Sequence, residues 1–223
     1  MHSEGPERSD AAETPSADEQ ARSGPDQRGA PRFTLLLRVA KLIIDGREAF
    51  CVIRDASTTG LKVRLFTPLP DHAEMAIEMA NGDRHRARCV WTADDHAGLQ
   101  FAMPVPLDQL LDEAKASGQR RHVRLRFTLD GVLHSGGEVV PVRLHDISQQ
   151  GAGLTCDKWL LRNELIRIET AILPPTYAKV RWRDHPRYGV IFEQIFQLED
   201  LAHRCADLPP PPPVEQREGR RGV

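Results

Sequence analysis

An internal repeat held in fixed register constrains this chain of 223 residues more than any other feature. Asp55-Ala-Ser57-Thr-Thr-Gly60 recurs as Asp146-Ile-Ser148-Gln-Gln-Gly151, an offset of 91. Trp91, Gly98 and Phe101 recur at that offset as Trp182, Gly189 and Phe192, within the segments ARCVWTADDHAGLQF and AKVRWRDHPRYGVIF. Upstream, Arg28-Gly-Ala-Pro-Arg32 answers Arg120-Arg-His-Val-Arg124 at offset 92, a slip of one residue. Solenoid units run about 20–50 residues, so this period is too long for one. The chain is two copies of one small domain in tandem, which its length allows.

Each copy reads as β. In the first, FTLLLRVAKLII, EAFCVIR, LKVRLF, MAIEM, HRARCVW and GLQF are short runs of strand character, separated by DG, TTG, LPD, NGD and ADDH turn signals. In the second, RLRFTL, EVVPVRLH, AGLTC, LIRIE, AKVRW and YGVIFE repeat the plan. Such spacing predicts a small antiparallel barrel, which leaves few exposed edges. A helical stretch follows each copy, LDQLLDEAKAS (107–117) and FQLEDLAHRCA (196–206). Leu107, Leu110, Leu111 and Ala114 fall at i, i+3, i+4 and i+7, an apolar face for packing on a barrel. The predicted organisation is a disordered acidic tail over 1–27, domains over 28–117 and 118–206, and a proline-rich tail over 207–223.

Charge separates along the same lines. Residues 1–27 hold seven acids against Arg8 and Arg22, a net of −5, while the whole chain carries −2. The body between the tails is therefore mildly basic, far too weakly for a general nucleic-acid binder. Of 30 basic residues, 25 are arginine, whose planar fork suits phosphates and flat rings. Charges interrupt every apolar stretch before membrane-spanning length, and the start lacks the apolar core of a secretory signal. Cys51, Cys89, Cys156 and Cys205 lie far apart. A reduced, cytoplasmic protein is expected. The first three cysteines sit on strand patterns as small core residues. No zinc spacing, G-x-S-x-G turn or phosphate loop is present, and no catalytic constellation emerges. Trp91 and Trp182 read as core or rim residues, and His122 and His145 as solvated or turn histidines.

The chemistry rests on two elements per copy. An R-x-x-x-R pair stands on the loop entering the first strand, and D-x-S-x-x-G lies between two later strand runs. Arg32 precedes Asp55 by 23 residues and Arg124 precedes Asp146 by 22, about one hairpin, so strand pairing brings both elements to one end of the barrel. The glycine allows positive φ or close approach. Guanidinium groups on one side, with a carboxylate and hydroxyl on the other, suit a guanine nucleotide. The carboxylate accepts from the N–H edge, while arginine serves O6, N7 and phosphate or stacks on the purine.

These residues, in this order and in two copies, resemble the PilZ family of bacterial cyclic di-GMP receptors. The resemblance spans both copies, including the strand ending in Trp, the Gly-x-x-Phe run and the closing helix. It implies a mainly β fold of two tandem six-stranded antiparallel barrels, each with a C-terminal helix. It also implies a receptor, not an enzyme, that binds cyclic di-GMP as a ligand and signals to a protein partner. By position, the ligand residues are Arg28, Arg32, Asp55, Ser57 and Gly60 in the first copy. In the second they are Arg120, Arg121, Arg124, Asp146, Ser148 and Gly151. No cofactor, metal, membrane span or direct nucleic-acid contact is expected. Loop ordering and domain reorientation would carry the signal. The alternative keeps the fold but makes the protein an interaction adaptor in which one copy, the first sooner than the second, or both copies bind no nucleotide. A hydrolase or transferase is a third class, set aside for want of acid–base pairs at useful spacing.

Overall fold

A computed structural model describes residues 33–70, 74–111 and 122–210. The first barrel comprises β1 (Phe33–Ile44), β2 (Arg47–Ser57), β3 (Gly60–Leu65), β4 (Glu74–Glu78), β5 (Arg84–Ala93) and β6 (His96–Phe101). It closes in the order β1-β2-β3-β6-β5-β4, with α1 (Leu107–Leu111) following. The second uses β7 (Leu125–Ser135), β8 (Glu138–Ser148), β9 (Gly151–Thr155), β10 (Leu165–Thr170), β11 (Thr176–Asp184) and β12 (Arg187–Phe192), then α2 (Leu198–Cys205). Its closure, β7-β8-β9-β12-β11-β10, is the same topology. Two six-stranded antiparallel barrels, each with a short helix, therefore match the expected fold class.

Turn chemistry sets the register of both long hairpins. Asp45 (φ 49°) and Gly46 (φ 79°) form the β1–β2 turn, and Gly136 (φ 59°) with Gly137 (φ 84°) forms that of β7–β8. Positive φ at both central residues is the type I′ requirement, matching the twist of a hairpin. Each barrel also carries a register shift just before its motif aspartate, between Ile53 and Asp55 and between Leu144 and Asp146. A second matched pair of shifts precedes the tryptophans, between Cys89 and Trp91 and between Val180 and Trp182. Such irregularities re-aim a side chain, and here they fall beside the repeated residues.

Core residues alternate along the strands, as in β3, where Leu61, Val63 and Leu65 are buried. The first core also holds Ala40, Leu42, Ile53, Ile77 and Leu99, closed by Leu110 of α1. The second holds Leu133, Leu144, Ile147, Ile166, Val180 and Tyr188, closed by Leu201 and Ala202 of α2. Phe50 lies on the first barrel yet belongs to the second core, and Val39 and Phe66 pack beside it. The outer face of β1 and β2 is thus the bed for the second barrel.

Several local expectations need correction. The helix predicted over 107–117 is described only through Leu111; its remainder, residues 1–32 and residues 211–223 lie outside the described residues. The second helix starts at Leu198 rather than 196. Phe196 is engaged elsewhere: its N–H donates to Gln149 O at 2.9 Å, and its carbonyl accepts from Gln149 Nε2 at 3.0 Å. Its ring meets Phe192 edge-on at 5.3 Å. Among the cysteines, Cys51 is a buried β2 residue whose thiol burial pushes up to about 12. Cys156 is buried just past the end of β9, and Cys89 is only half-buried. Among the described residues, no helix is long and apolar enough to cross a membrane.

Candidate functional site

The D-x-S-x-x-G element ends one strand and begins the next. Ser57 closes β2, two turn residues follow, and Gly60 opens β3; Ser148 and Gly151 do the same for β8 and β9. The serines face inward. Ser148 is fully buried and its hydroxyl donates to Gly151 O at 3.2 Å. Ser57 Oγ donates to Gly60 O at 3.2 Å and accepts from Gly60 N–H at 3.1 Å. Both hydroxyls therefore hold the turn. The glycines serve close strand approach and not positive φ: a Cβ would stand 2.2 Å from Leu99 O at Gly60 and 2.1 Å from Val190 O at Gly151.

Hairpin pairing brings the arginine and aspartate elements of the second copy together. Arg126 stands opposite Asp146 in the β7–β8 register, and the Arg124 guanidinium donates through Nη1 to Asp146 Oδ1. Asp146 lies over Gly153, where a Cβ would come within 2.4 Å of Oδ2. The missing side chain is the floor on which this carboxylate rests. In the first copy, Asp55 is opposite Thr34 on β1 and opposite Lys62 on β3, at the position Gly153 holds in the repeat. Arg28, Arg32, Arg120 and Arg121 lie outside the described residues.

A cleft of about 630 Å³ opens beside the Arg124–Asp146 pair. From the second barrel it is lined by His122, Val123, Arg124, Arg126, Asp146 and Trp182. From the first it is lined by Lys41, Glu78, Arg84 and the β4–β5 turn over residues 79–82. Cations outnumber acids on this wall, which suits an anionic ligand with a flat ring. Arg84 is held toward Glu78, with Nε donating to Oε2 at 2.5 Å.

Sequence reasoning missed the whole contribution of the first barrel. Of the two places expected for Trp182, core or rim, the structure gives the rim: the residue is 46% exposed and borders the cleft. Trp182 covers Gly189, where a Cβ would meet Nε1 at 2.0 Å, and Trp91 covers Gly98 in the same way. That recurring Trp–Gly pair was the available signal for an outward-facing ring. His145 is engaged with Thr155 Oγ1 at 2.5 Å, and burial, helped by Arg187, lowers its pKa against the pull of Asp146. His122 does line the cleft.

The family model described as the PilZ domain matches residues 26–115 and again 118–203. No curated protein matches. Similar solved structures include the Borreliella burgdorferi PlzA protein in complex with c-di-GMP, at 16% identity over 77% of this chain and 88% of that one, TM-score 0.33. The Bacillus subtilis inhibitor of motility (MotI/DgrA) aligns at 17% identity over 77% and 95%, TM-score 0.33. Escherichia coli YcgR in complex with c-di-GMP aligns at 12% identity over 76% and 82%, TM-score 0.30. With two matched segments covering most of its length, each containing a closed six-stranded barrel, the chain belongs to the PilZ domain family and carries that domain twice.

Proposed function

We propose that this protein is a cyclic di-GMP receptor whose ligand enters the cleft of the second barrel. The observation that carries the reading is the Arg124–Asp146 pair, set over Gly153 at the cleft wall of a PilZ domain. Asp146 would accept from the guanine N–H edge, and Arg124, with Arg120 and Arg121 just before it in sequence, would serve phosphate, O6 and N7. Ser148 and Gly151 shape the turn that presents Asp146. Ordering of the loop would reorient the domains, proposed here at 28–117 and 118–206, and so signal to a protein partner in the cytoplasm. The protein acts by binding and leaves the nucleotide intact.

Isothermal titration of the full chain with cyclic di-GMP tests this directly. Micromolar affinity corresponds to about −8 kcal/mol, within reach of a few charge-assisted bonds after loop ordering. No heat and no thermal shift at millimolar ligand would end the reading; loss of intact ligand would point to an enzyme instead. A Gly153→Ala variant sharpens the site. The added Cβ displaces a side-chain carboxylate, not backbone, so the melt should barely change. Affinity should fall about tenfold, the equivalent of about 1.4 kcal/mol or one weakened hydrogen bond.

A second reading applies to the first copy, where Arg28, Arg32, Asp55, Ser57 and Gly60 form the matching set. Lys62, opposite Asp55 where the second copy has Gly153, favours a docking role without nucleotide. A stoichiometry of one per barrel pair that survives Asp55→Ala supports docking, whereas two sites reduced to one by that change supports a second receptor site.

A further inference from the structure

The outer face of the first barrel carries two charges that solvent does not reach. Lys41 is 3% exposed, and the Glu48 side chain 1%. The β1–β2 register sets Lys41 opposite Phe50 and Ile43 opposite Glu48, so the two are diagonal neighbours. Lys41 Nζ donates to Glu48 Oε2 at 2.8 Å and pairs with Glu78 Oε1 at 3.1 Å. Its third partner lies on the second barrel, the main-chain carbonyl of Arg124 at 3.1 Å. An ammonium has three donors, and all three are used.

Glu48 reaches the same segment. Its Oε2 accepts from the Arg126 N–H at 2.8 Å, and its Oε1 accepts from Arg126 Nε at 2.9 Å and forms an ion pair with Nη2 at 2.9 Å. Burial pushes the Glu48 carboxyl up, but the donors of Lys41 and Arg126 outweigh it and hold it below its ordinary 4.5. Buried charges persist only where their partners are complete. Here the completing groups come from residues 124 and 126, the residue that grips Asp146 and its near neighbour.

We infer that Lys41 and Glu48 are positioning residues for the ligand site of the second barrel: they clamp the main chain on both sides of Leu125 and so aim the Arg124 guanidinium at Asp146 before ligand arrives. This inference rests on the receptor reading above. Holding the arginine in place beforehand reduces the ordering cost of binding. It also gives the first barrel a part in recognition whether or not it takes nucleotide itself. A change in how the barrels sit on one another would reach Arg124 through two hydrogen bonds to its own backbone segment.

The test uses the full chain with Lys41→Met and Glu48→Leu combined, which removes both buried charges together and strands neither one against the other. Two quantities are read: amide hydrogen exchange at Arg126 without ligand, and affinity for cyclic di-GMP. The expected result is a folded protein with a lowered melt, since Glu78 and the main-chain groups of Arg124 and Arg126 lose a partner, with Arg126 exchange at least tenfold faster and affinity at least tenfold weaker. If the double variant fails to fold, Glu48→Gln keeps shape and one acceptor oxygen, and should show the same two changes at about threefold. A folded variant with wild-type Arg126 exchange and affinity within twofold of wild type overturns the clamp. Wild-type protein that takes up no cyclic di-GMP overturns the receptor reading instead; the exchange comparison then decides the clamp by itself.

Discussion

Replacing Arg124 with alanine is expected to weaken cyclic di-GMP binding by about 100-fold, close to 3 kcal/mol. Charge-assisted hydrogen bonds contribute about 1.5–3 kcal/mol each, and a guanidinium presents two in parallel. Some of that is offset, because one of the Arg124 donors is already engaged by Asp146 and stays there. The removal also leaves Asp146 without its guanidinium, so the carboxylate is no longer held in line. Arg124→Lys retains the charge but loses the fork, and should fall between wild type and alanine, near tenfold. The Arg124 side chain is 45% exposed, so neither change should cost much stability. Calorimetric titration at one fixed salt concentration reads the effect, since screening alters such contacts. An alanine variant that binds within threefold of wild type would move the site elsewhere.

The second large effect concerns Phe50, and it is one of architecture. Phe50→Ala should destabilise the protein by about 3–5 kcal/mol and separate the melting of the two barrels. Phe50 is 3% exposed and fills the second core from the first barrel. The exposed ion pair across the same boundary cannot replace it. Arg64 pairs with Glu199 at 3.2 Å, but at 33% and 53% exposure such a pair contributes about 0–1 kcal/mol. Differential scanning calorimetry should resolve two transitions where wild type shows one. Leu42→Ala, inside the first barrel alone, should lower stability without the same division. A single transition in the Phe50 variant, with less than about 1 kcal/mol lost, would mean the boundary is held by something else.

Much of the fold could be read along the chain. The run FTLLLRVAKLII is β1 from end to end, and Asp45-Gly46 is the tight turn its dipeptide announces. The repeat placed Asp146 and Arg124 at one end of a hairpin, and the second barrel joins them by an ion pair. What the run in β1 concealed was why it breaks alternation. Lys41 and Val39 point outward with Phe50 and Glu48, yet the second barrel covers them. A lysine and a glutamate on an outer strand face look solvated in any local window. Only the arrival of residues 124 and 126, far away in sequence, turns them into a buried pair.

The same division explains Ser148 and Trp182. D-x-S-x-x-G announces a turn, but not that the serine hydroxyl closes it from inside while the glycine lets β12 approach. Matched tryptophans announce equivalent positions, but not that one borders a cleft. Sequence alone determined the tandem repeat, the succession of strands along each copy and the motif residues that recur. These follow from period, turn chemistry and composition, which act over a few neighbouring residues. Tertiary structure alone decided that the cleft has walls from both barrels and that the first grips the arginine segment of the second. Those contacts join residues nearly a full repeat apart, and no local pattern encodes which outer faces will meet.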